Sequence, residues 1–343
     1  MRAFACPNCR SLIFFDNHRC LTCDSRLGFD RGRADLVVLD DSSTKVRCAN
    51  SVLVDCNWLV DPGAPQGLCD CCWLTRTRPA DDDTDALAAF ARAERAKRRL
   101  LFQLDHLRLP TTPRSADPGQ GLAFDLLSSA RQKVITGHAN GVITIDLAEG
   151  HDPHREALRV KLAEPYRTLL GHLRHEIGHW YWNVLVRDTP FLDRFRDLFG
   201  DERADYGEAL KQHYSAETET PDWSDTHVSN YAAAHPWEDW AETFAHYLHI
   251  RDTIQTAGAW GVHTDGPDLD LKLAWDAQLD VDPQEDVDTF DELARSWIAL
   301  KMVLNQLNRS MGKDDLYPFR LTPTVVDKLR FVHVVVTSHR ADG

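Results

Sequence analysis

Cysteine is missing from most of this chain. All nine cysteines fall between Cys6 and Cys72, and the last three quarters of the sequence has none. A secreted disulfide framework spreads its bridges through the fold or forms a short chain of its own. Confinement to one end argues instead for metal binding there, in a cytoplasmic protein. There is no apolar run long enough to cross a bilayer, and the opening MRAFACPNCR has no signal-peptide core. Membrane partners are therefore not expected. Positive charge is in deficit, with 39 Lys and Arg against 53 Asp and Glu for a formal net charge of -14. That balance, and the lack of an aromatic-basic stripe, argue against nucleic acid as a partner. Internal repeats and low-complexity tracts are absent too. What is present, 343 residues with 43% hydrophobic and 27% charged, can fill one large domain or two unequal ones.

The cysteines form two sets. Cys6-Pro-Asn-Cys9 and Cys20-Leu-Thr-Cys23 are two C-x-x-C turns, each of which offers two soft ligands from one tight bend. Together they close a tetrahedral zinc site with no corner left for water, which makes it structural. Cys48, Cys56, Cys69 and Cys72 form a second quartet with looser spacing, and Cys71 is left over. A segment this short and poor in large aliphatic residues could hardly fold without metal. Trp58 and Trp73 are expected to cover the second site.

Beyond RTRPADDDTDALAAF the pattern changes. Asp81 to Asp83 suit an N-cap and first helical turn, and a helix is expected to run to about Leu107. Its Lys97, Arg98 and Arg99 read as a solvated basic face near a helix C-terminus. GLAFDLLSS and QKVITGHANGVITIDLA follow, the latter alternating on both sides of Asn140-Gly141 as a β-hairpin does. After Pro153 the periodicity is helical through EPYRTLLGHLRHEIGHWYWNVLVR, TPFLDRFRDLF, DERADYGEALKQHY, HPWEDWAETFAHYLHIRDTIQTA and DTFDELARSWIALKMVLNQLNRS. The acidic TDGPDLDLKLAWDAQLDVDPQED reads as a surface excursion, and VVDKLRFVHVVVTS fits helix or strand.

In GHLRHEIGHWYW, His175 and His179 stand four apart and share a helix face, with Cβ atoms roughly 6 Å apart. Two imidazoles so placed can hold one zinc ion, with Glu176 beside them to take a proton from attacking water. Leu173, Ile177, Trp180 and Trp182 mark a buried helix, and Gly178 permits a close neighbour. A catalytic zinc needs a third protein ligand and an open position. Tyr231-Ala-Ala-Ala-His235-Pro-Trp-Glu238-Asp-Trp-Ala-Glu242-Thr-Phe supplies two carboxylates one turn apart. One of Glu238 and Glu242 can ligate the metal while the other accepts a hydrogen bond from a ligand histidine and fixes its tautomer. His235 is a candidate substrate contact. His172 reads as an ordinary polar position, His246 and His249 as core or supporting histidines, and Asp201, Glu202 and Asp205 as helix caps.

With the cysteine sets, LAFDLL, GHANGVITI, EPYRTLLGHLRHEIGHWYW, FGDERADY and HPWEDWAETFAHYLHI, the chain resembles bacterial zinc-binding metallopeptidase proteins that carry an N-terminal zinc ribbon. The resemblance runs over nearly the whole chain and implies zinc-dependent peptide hydrolysis. The stretch from Tyr231 to Phe244 is also similar to the tyrosine, paired alanines and E-x-x-A-E-x-F of lethal-factor-type peptidases. That likeness implies Glu238 as third ligand, Glu242 as support for a ligand histidine, and Tyr231 as donor to the developing oxyanion.

The expected fold is α+β: a mainly helical zincin-like metallopeptidase domain with a small β-hairpin or sheet over 79–343, preceded by a zinc-ribbon module over 1–78. The expected cofactor is zinc, one catalytic ion and two structural. The expected partners are a protein or peptide substrate and a protein contact through the ribbon. The alternative is a ribbon-borne interaction or regulatory protein with little peptidase activity. The intact Glu176 favours the enzyme, since a structural H-x-x-x-H site has no use for that carboxylate.

Overall fold

A computed structural model describes residues 1–130, 133–150, 168–215, 223–266, 279–284 and 287–342. Among them, contacts gather residues 1–150 and 168–173 into one unit and the residues from Arg174 onward into another. The chain is α+β and mainly helical, with small sheets and a cysteine-rich start.

The first unit opens with three two-stranded antiparallel sheets. They pair β1 (Phe4–Ala5) with β2 (Leu12–Ile13), β3 (Leu27–Asp30) with β4 (Asp35–Val38), and β5 (Val46–Arg47) with β6 (Leu59–Val60). A short helix α1 (Asp70–Trp73) and strand β7 (Thr75–Thr77) lead to the long α2 (Thr84–His106). Asp83 alone of the three aspartates caps α2, its Oδ1 accepting from Ala86 N at 3.1 Å. Arg108, at a left-handed φ of 54°, follows its last turn. Strands β8 (Ala123–Leu127), β9 (Gly137–Ala139) and β10 (Val142–Asp146) complete a four-stranded sheet of order β7-β8-β10-β9. The expected hairpin is β9–β10, turned by Asn140 and Gly141 at φ 49° and 79°. GLAFDLLSS supplies the parallel neighbour β8.

Small paired sheets cannot bury a core by themselves, and here they use α2. Phe102 of that helix meets Phe15 and Phe29 at ring-centroid distances of 4.9 and 5.7 Å, and Trp58 closes on Phe29 at 5.2 Å. Because these rings join the cysteine segment to α2, contacts divide the chain well beyond the boundary expected at residue 78. Covered by strands and ribbon, α2 cannot present the expected solvated basic face. Lys97 and Arg98 are both fully buried, and only Arg99 reaches the surface, donating to Asp16 at 2.7 Å.

In the later part, α3 (Leu169–Tyr181) does not continue to Arg187 as its periodicity suggests; Glu164 to Arg167, the expected start, lie outside the described residues. Trp182–Val186 form a wider π-helical turn, in which Arg187 N reaches Trp182 O while the Asn183 amide takes the His179 carbonyl. Then come α4 (Leu192–Phe199), α5 (Tyr206–Ser215), α6 (Trp223–Thr226), α7 (Pro236–Ala259), α8 (Phe290–Ser310) and α9 (Pro323–Asp342). Of the acids after Gly200 only Asp205 caps α5, accepting from Glu208 N; Asp201 and Glu202 pair with Arg203 and Arg196. The ambiguous VVDKLRFVHVVVTS lies in α9, because Val325, Leu329, Val332 and Val336 recur at helical spacing and are all buried. Tertiary burial overrides the β preference of its valines. Of the acidic excursion, residues 267–278 and 285–286 lie outside the described residues, while Thr264 and Val281 bridge its ends.

Three histidines of this second unit are kept neutral by their surroundings. Burial pulls His246 down to about 4 from an ordinary 6.5, and burial with the Lys328 charge does the same to His227. His249 falls well below its usual range for want of solvent and because of Arg174. The unfolded chain binds protons at these positions near pH 6.5, whereas the folded chain binds them only near 4 at His246 and His227 and well below the usual range at His249. Stability present above pH 6.5 is therefore lost as the pH falls toward 4. Thermal melting should show that decline, and His246→Phe, whose ring would sit against Phe319, should make it shallower; an equally steep decline would remove His246 as a source.

Candidate metal centre

Four thiolates around zinc at about 2.3 Å each lie ~3.8 Å apart at the corners of a regular tetrahedron. In the first quartet Cys6 and Cys23 Sγ stand 3.7 Å apart, and Cys9 and Cys20 Sγ 3.6 Å. In the second, Cys56 and Cys69 Sγ stand 3.7 Å apart. Each quartet's four sulfurs lie within 4.8 Å of one another, so both donor sets fit the ion in number, type and spacing. Cys48, Cys56, Cys69 and Cys72 are the second quartet, and Cys71 stays outside it. Burial pushes the Cys71 thiol far up, so it stays protonated. Trp58 is buried among Phe15 and Phe29, whereas Trp73 donates to Ser115 at the surface.

The third group is assembled by two helices. Gly178 on α3 lets α7 approach so closely that an added Cβ would stand 3.1 Å from Ala241 Cα. Trp240 Nε1 ties the crossing by donating to Gly178 O at 2.9 Å. His175 and His179 on α3 thereby face Glu238 on α7. Glu238 Oε2 lies 3.0 Å from His175 Nε2 and 3.4 Å from His179 Nε2, close to the ~3.4 Å edge expected for nitrogen and oxygen ligands at about 2.1 Å.

His175 Nδ1 lies 2.7 Å from Glu242 Oε1 and donates to it, while Ser229 donates to Glu242 Oε2 at 2.6 Å. With one proton fixed on Nδ1, His175 meets the Glu238 carboxylate through Nε2, a contact that a second ring proton or a bound cation satisfies. Burial opposes charge on His175, but its bonds to Glu238 and Glu242 outweigh burial and raise its pKa well above the ordinary range. Against burial, the same His175 contact takes Glu242 down to about 2. A site that draws in positive charge so strongly suits a divalent ion.

Sequence reading missed two neighbours. Tyr206, first residue of α5, donates its hydroxyl to Glu238 Oε1 at 2.7 Å, leaving Oε2 to the imidazoles. Burial and the Glu238 charge push its phenol up, so it remains a donor. Ser229 is the other. Neither lies at a helical spacing from the histidines that could have announced it. Tyr231 stands in a tight turn (Tyr231–Ala234) with its ring 5.8 Å from that of His175, and it also bonds to Tyr206. Trp237 covers His179 at 4.5 Å. Glu176 lies beside the two histidines on α3, 8% exposed.

His235 is placed differently from expectation. Its Nδ1 accepts from Trp237 N at 3.1 Å as the cap of α7, and its Nε2 meets Ala204 O at 3.1 Å. Both nitrogens serve the fold, with no atom left to reach substrate. His172 holds a polar position, its Nδ1 contacting the buried Glu149. His246 and His249 are core residues held by Tyr317 and Arg174.

Comparison with known families is consistent with this geometry. A family model described as "Putative zinc-binding metallo-peptidase" matches residues 86–335. The chain belongs to this family. A zinc-ribbon domain matches residues 3–83. Uncharacterized proteins of Mycobacterium tuberculosis and Mycobacterium bovis are each 50% identical over 337 residues, covering 98% of this chain and 95% of theirs. No solved structure matches. Among the described residues, no helix is long and apolar enough to cross a membrane.

Cys72→Ala should lower the zinc content by one ion per chain while Cys71→Ala leaves it unchanged; equal losses would show that Cys71 is a ligand. Tyr206→Phe should weaken zinc retention at the histidine site about tenfold, as loss of a group orienting a ligand does. Competition with a chelator measures it, and unchanged retention removes Tyr206 from that role.

Proposed function

We propose that this chain is a zinc-dependent peptidase acting on a protein or peptide, with His175, His179 and Glu238 as ligands of the catalytic ion. The observation that carries this reading is Glu176, a poorly exposed carboxylate on the same helix turn as two imidazoles that face a third ligand. Bound there, zinc would lower the pKa of water toward neutrality and polarise an amide carbonyl.

The chain's own residues supply the rest. Glu176 takes the proton of the attacking water and later hands it to the leaving amine, so one carboxylate serves as base and then acid. Tyr231 donates a hydrogen bond where negative charge grows on the carbonyl oxygen. Glu242 keeps the His175 proton on Nδ1, which reserves Nε2 for the metal. Tyr206 holds Glu238 by one oxygen. The two cysteine quartets, with no open corner, serve structure. Leu12, Phe14 and Leu21, all exposed on the ribbon, support its use as a contact for a protein partner.

Glu176→Gln keeps the size and the hydrogen-bonding edge of the side chain but cannot shuttle a proton. It should retain about three zinc ions per chain and lose hydrolysis by about 100- to 10,000-fold. New peptide termini in cells carrying wild-type protein, compared with cells carrying Glu176→Gln, would identify substrates. A confirmed hydrolysis that survives Glu176→Gln would refute the assignment and leave the ribbon-borne interaction protein as the better reading.

A further inference from the structure

Three of the first unit's buried charges lie on one stretch of α2 beside the second cysteine quartet. Glu94, Lys97 and Arg98 of α2 are each fully buried. Lys97 Nζ donates to Glu94 Oε1 at 2.6 Å and to Thr75 Oγ1, and it lies 5.2 Å from the centre of the Phe124 ring. Glu94 Oε2 stands 3.7 Å from Cys72 Sγ. Glu94 and Lys97 thus neutralise each other.

Arg98 has no such carboxylate. Its Nη2 donates to the carbonyls of Val54 and Asp55, at 3.4 and 3.2 Å, the two residues that precede Cys56. Its Nε and Nη1 are buried without a hydrogen-bond acceptor among the described residues. The nearby Asp55 side chain is half exposed and engages His18 and Arg95 instead. A buried guanidinium without counter-charge costs several kcal/mol and does not persist unless something nearby is negative. Four thiolates around one divalent ion carry two negative charges in excess. With the ion and Arg98 both in place, the interior holds opposite charges side by side.

We propose that Arg98 is the counter-charge of the second cysteine quartet, with Lys97 holding Glu94 from repelling the thiolates. The metal-loaded quartet and α2 then form one electrostatic unit. The ribbon match ends at residue 83 and the peptidase match begins at residue 86, so the helix that balances the ribbon's metal comes from the other family segment. A metal module that depends on its neighbour for charge is built into that neighbour's folding, not attached to it as a separable adaptor. This inference stands apart from the peptidase reading and does not require any hydrolysis.

The test uses full-length, zinc-loaded protein. Arg98→Met keeps length and apolar contacts while removing the charge. Native mass spectrometry would count zinc during a chelator titration, and mass mapping would follow alkylation of each cysteine. Arg98→Met should expose Cys48, Cys56, Cys69 and Cys72 about 10- to 100-fold faster, with Cys6, Cys9, Cys20 and Cys23 unchanged. Arg98→Lys should recover part of the protection, and Arg99→Met, at the surface, should behave as wild type. Unchanged protection in Arg98→Met, or equal acceleration in both quartets, overturns the proposal. Should Arg98→Met fail to fold, hydrogen exchange of the wild type decides. Stripping the second quartet's metal should speed exchange most around Arg98 in α2, and equal protection before and after stripping overturns it.

Discussion

One carboxylate oxygen of Glu238, 3.0 Å from His175 Nε2 and 3.4 Å from His179 Nε2 in a poorly exposed site, makes a pocket for positive charge that the surrounding structure must hold together. Most of the second unit's geometry serves that constraint. Gly178 removes the side chain that would hold α7 away from α3, and Trp240 pins the crossing to the Gly178 carbonyl. Glu242 sets the tautomer of His175, Ser229 steadies Glu242, and Tyr206 occupies the other oxygen of Glu238. Each hydrogen bond removes an orientation that would turn a ligand atom away. The three side chains are therefore preorganised by neutral donors, as a metal site needs.

The first unit solves a related problem with the opposite sign. Its cysteine segment is stapled by two tetrahedral thiol sets and completed by aromatic contact with Phe102 of α2. The ordinary expectation for Lys-Arg-Arg near the end of a helix is a wet surface, because each lysine or arginine buried alone is costly. Two of the three are dry here. Lys97 is answered by Glu94, whereas Arg98 meets only the carbonyls of Val54 and Asp55, and the thiolates of the second quartet are its proposed counter-charge.

The local periodicity marked the long helices because each is amphipathic or capped, and both C-x-x-C turns were plain from spacing alone. Asn140-Gly141 marked the hairpin because few other residues tolerate two successive positive φ angles. Legibility failed where a side chain's role is set by something distant in the chain. Tyr206 precedes Glu238 by more than thirty residues, and nothing in FGDERADY distinguishes a ligand-holding phenol from a surface one. His235 looked like a substrate contact for its position beside Glu238. The fold uses both of its nitrogens instead, one on the α7 N-terminus and one on the Ala204 carbonyl.

By itself, then, the amino-acid order determined which atoms could bind metal: soft sulfurs in fours, two imidazoles on one helix face, carboxylates one turn apart. Those choices depend on residue type and on separations of two to four positions, which backbone geometry converts directly into a shared face or turn. Only the tertiary structure decided that Glu238 and not Glu242 meets both imidazoles, and that Arg98 is dry. Such choices turn on how helices cross and which charges are cut off from water, and no local pattern carries that information.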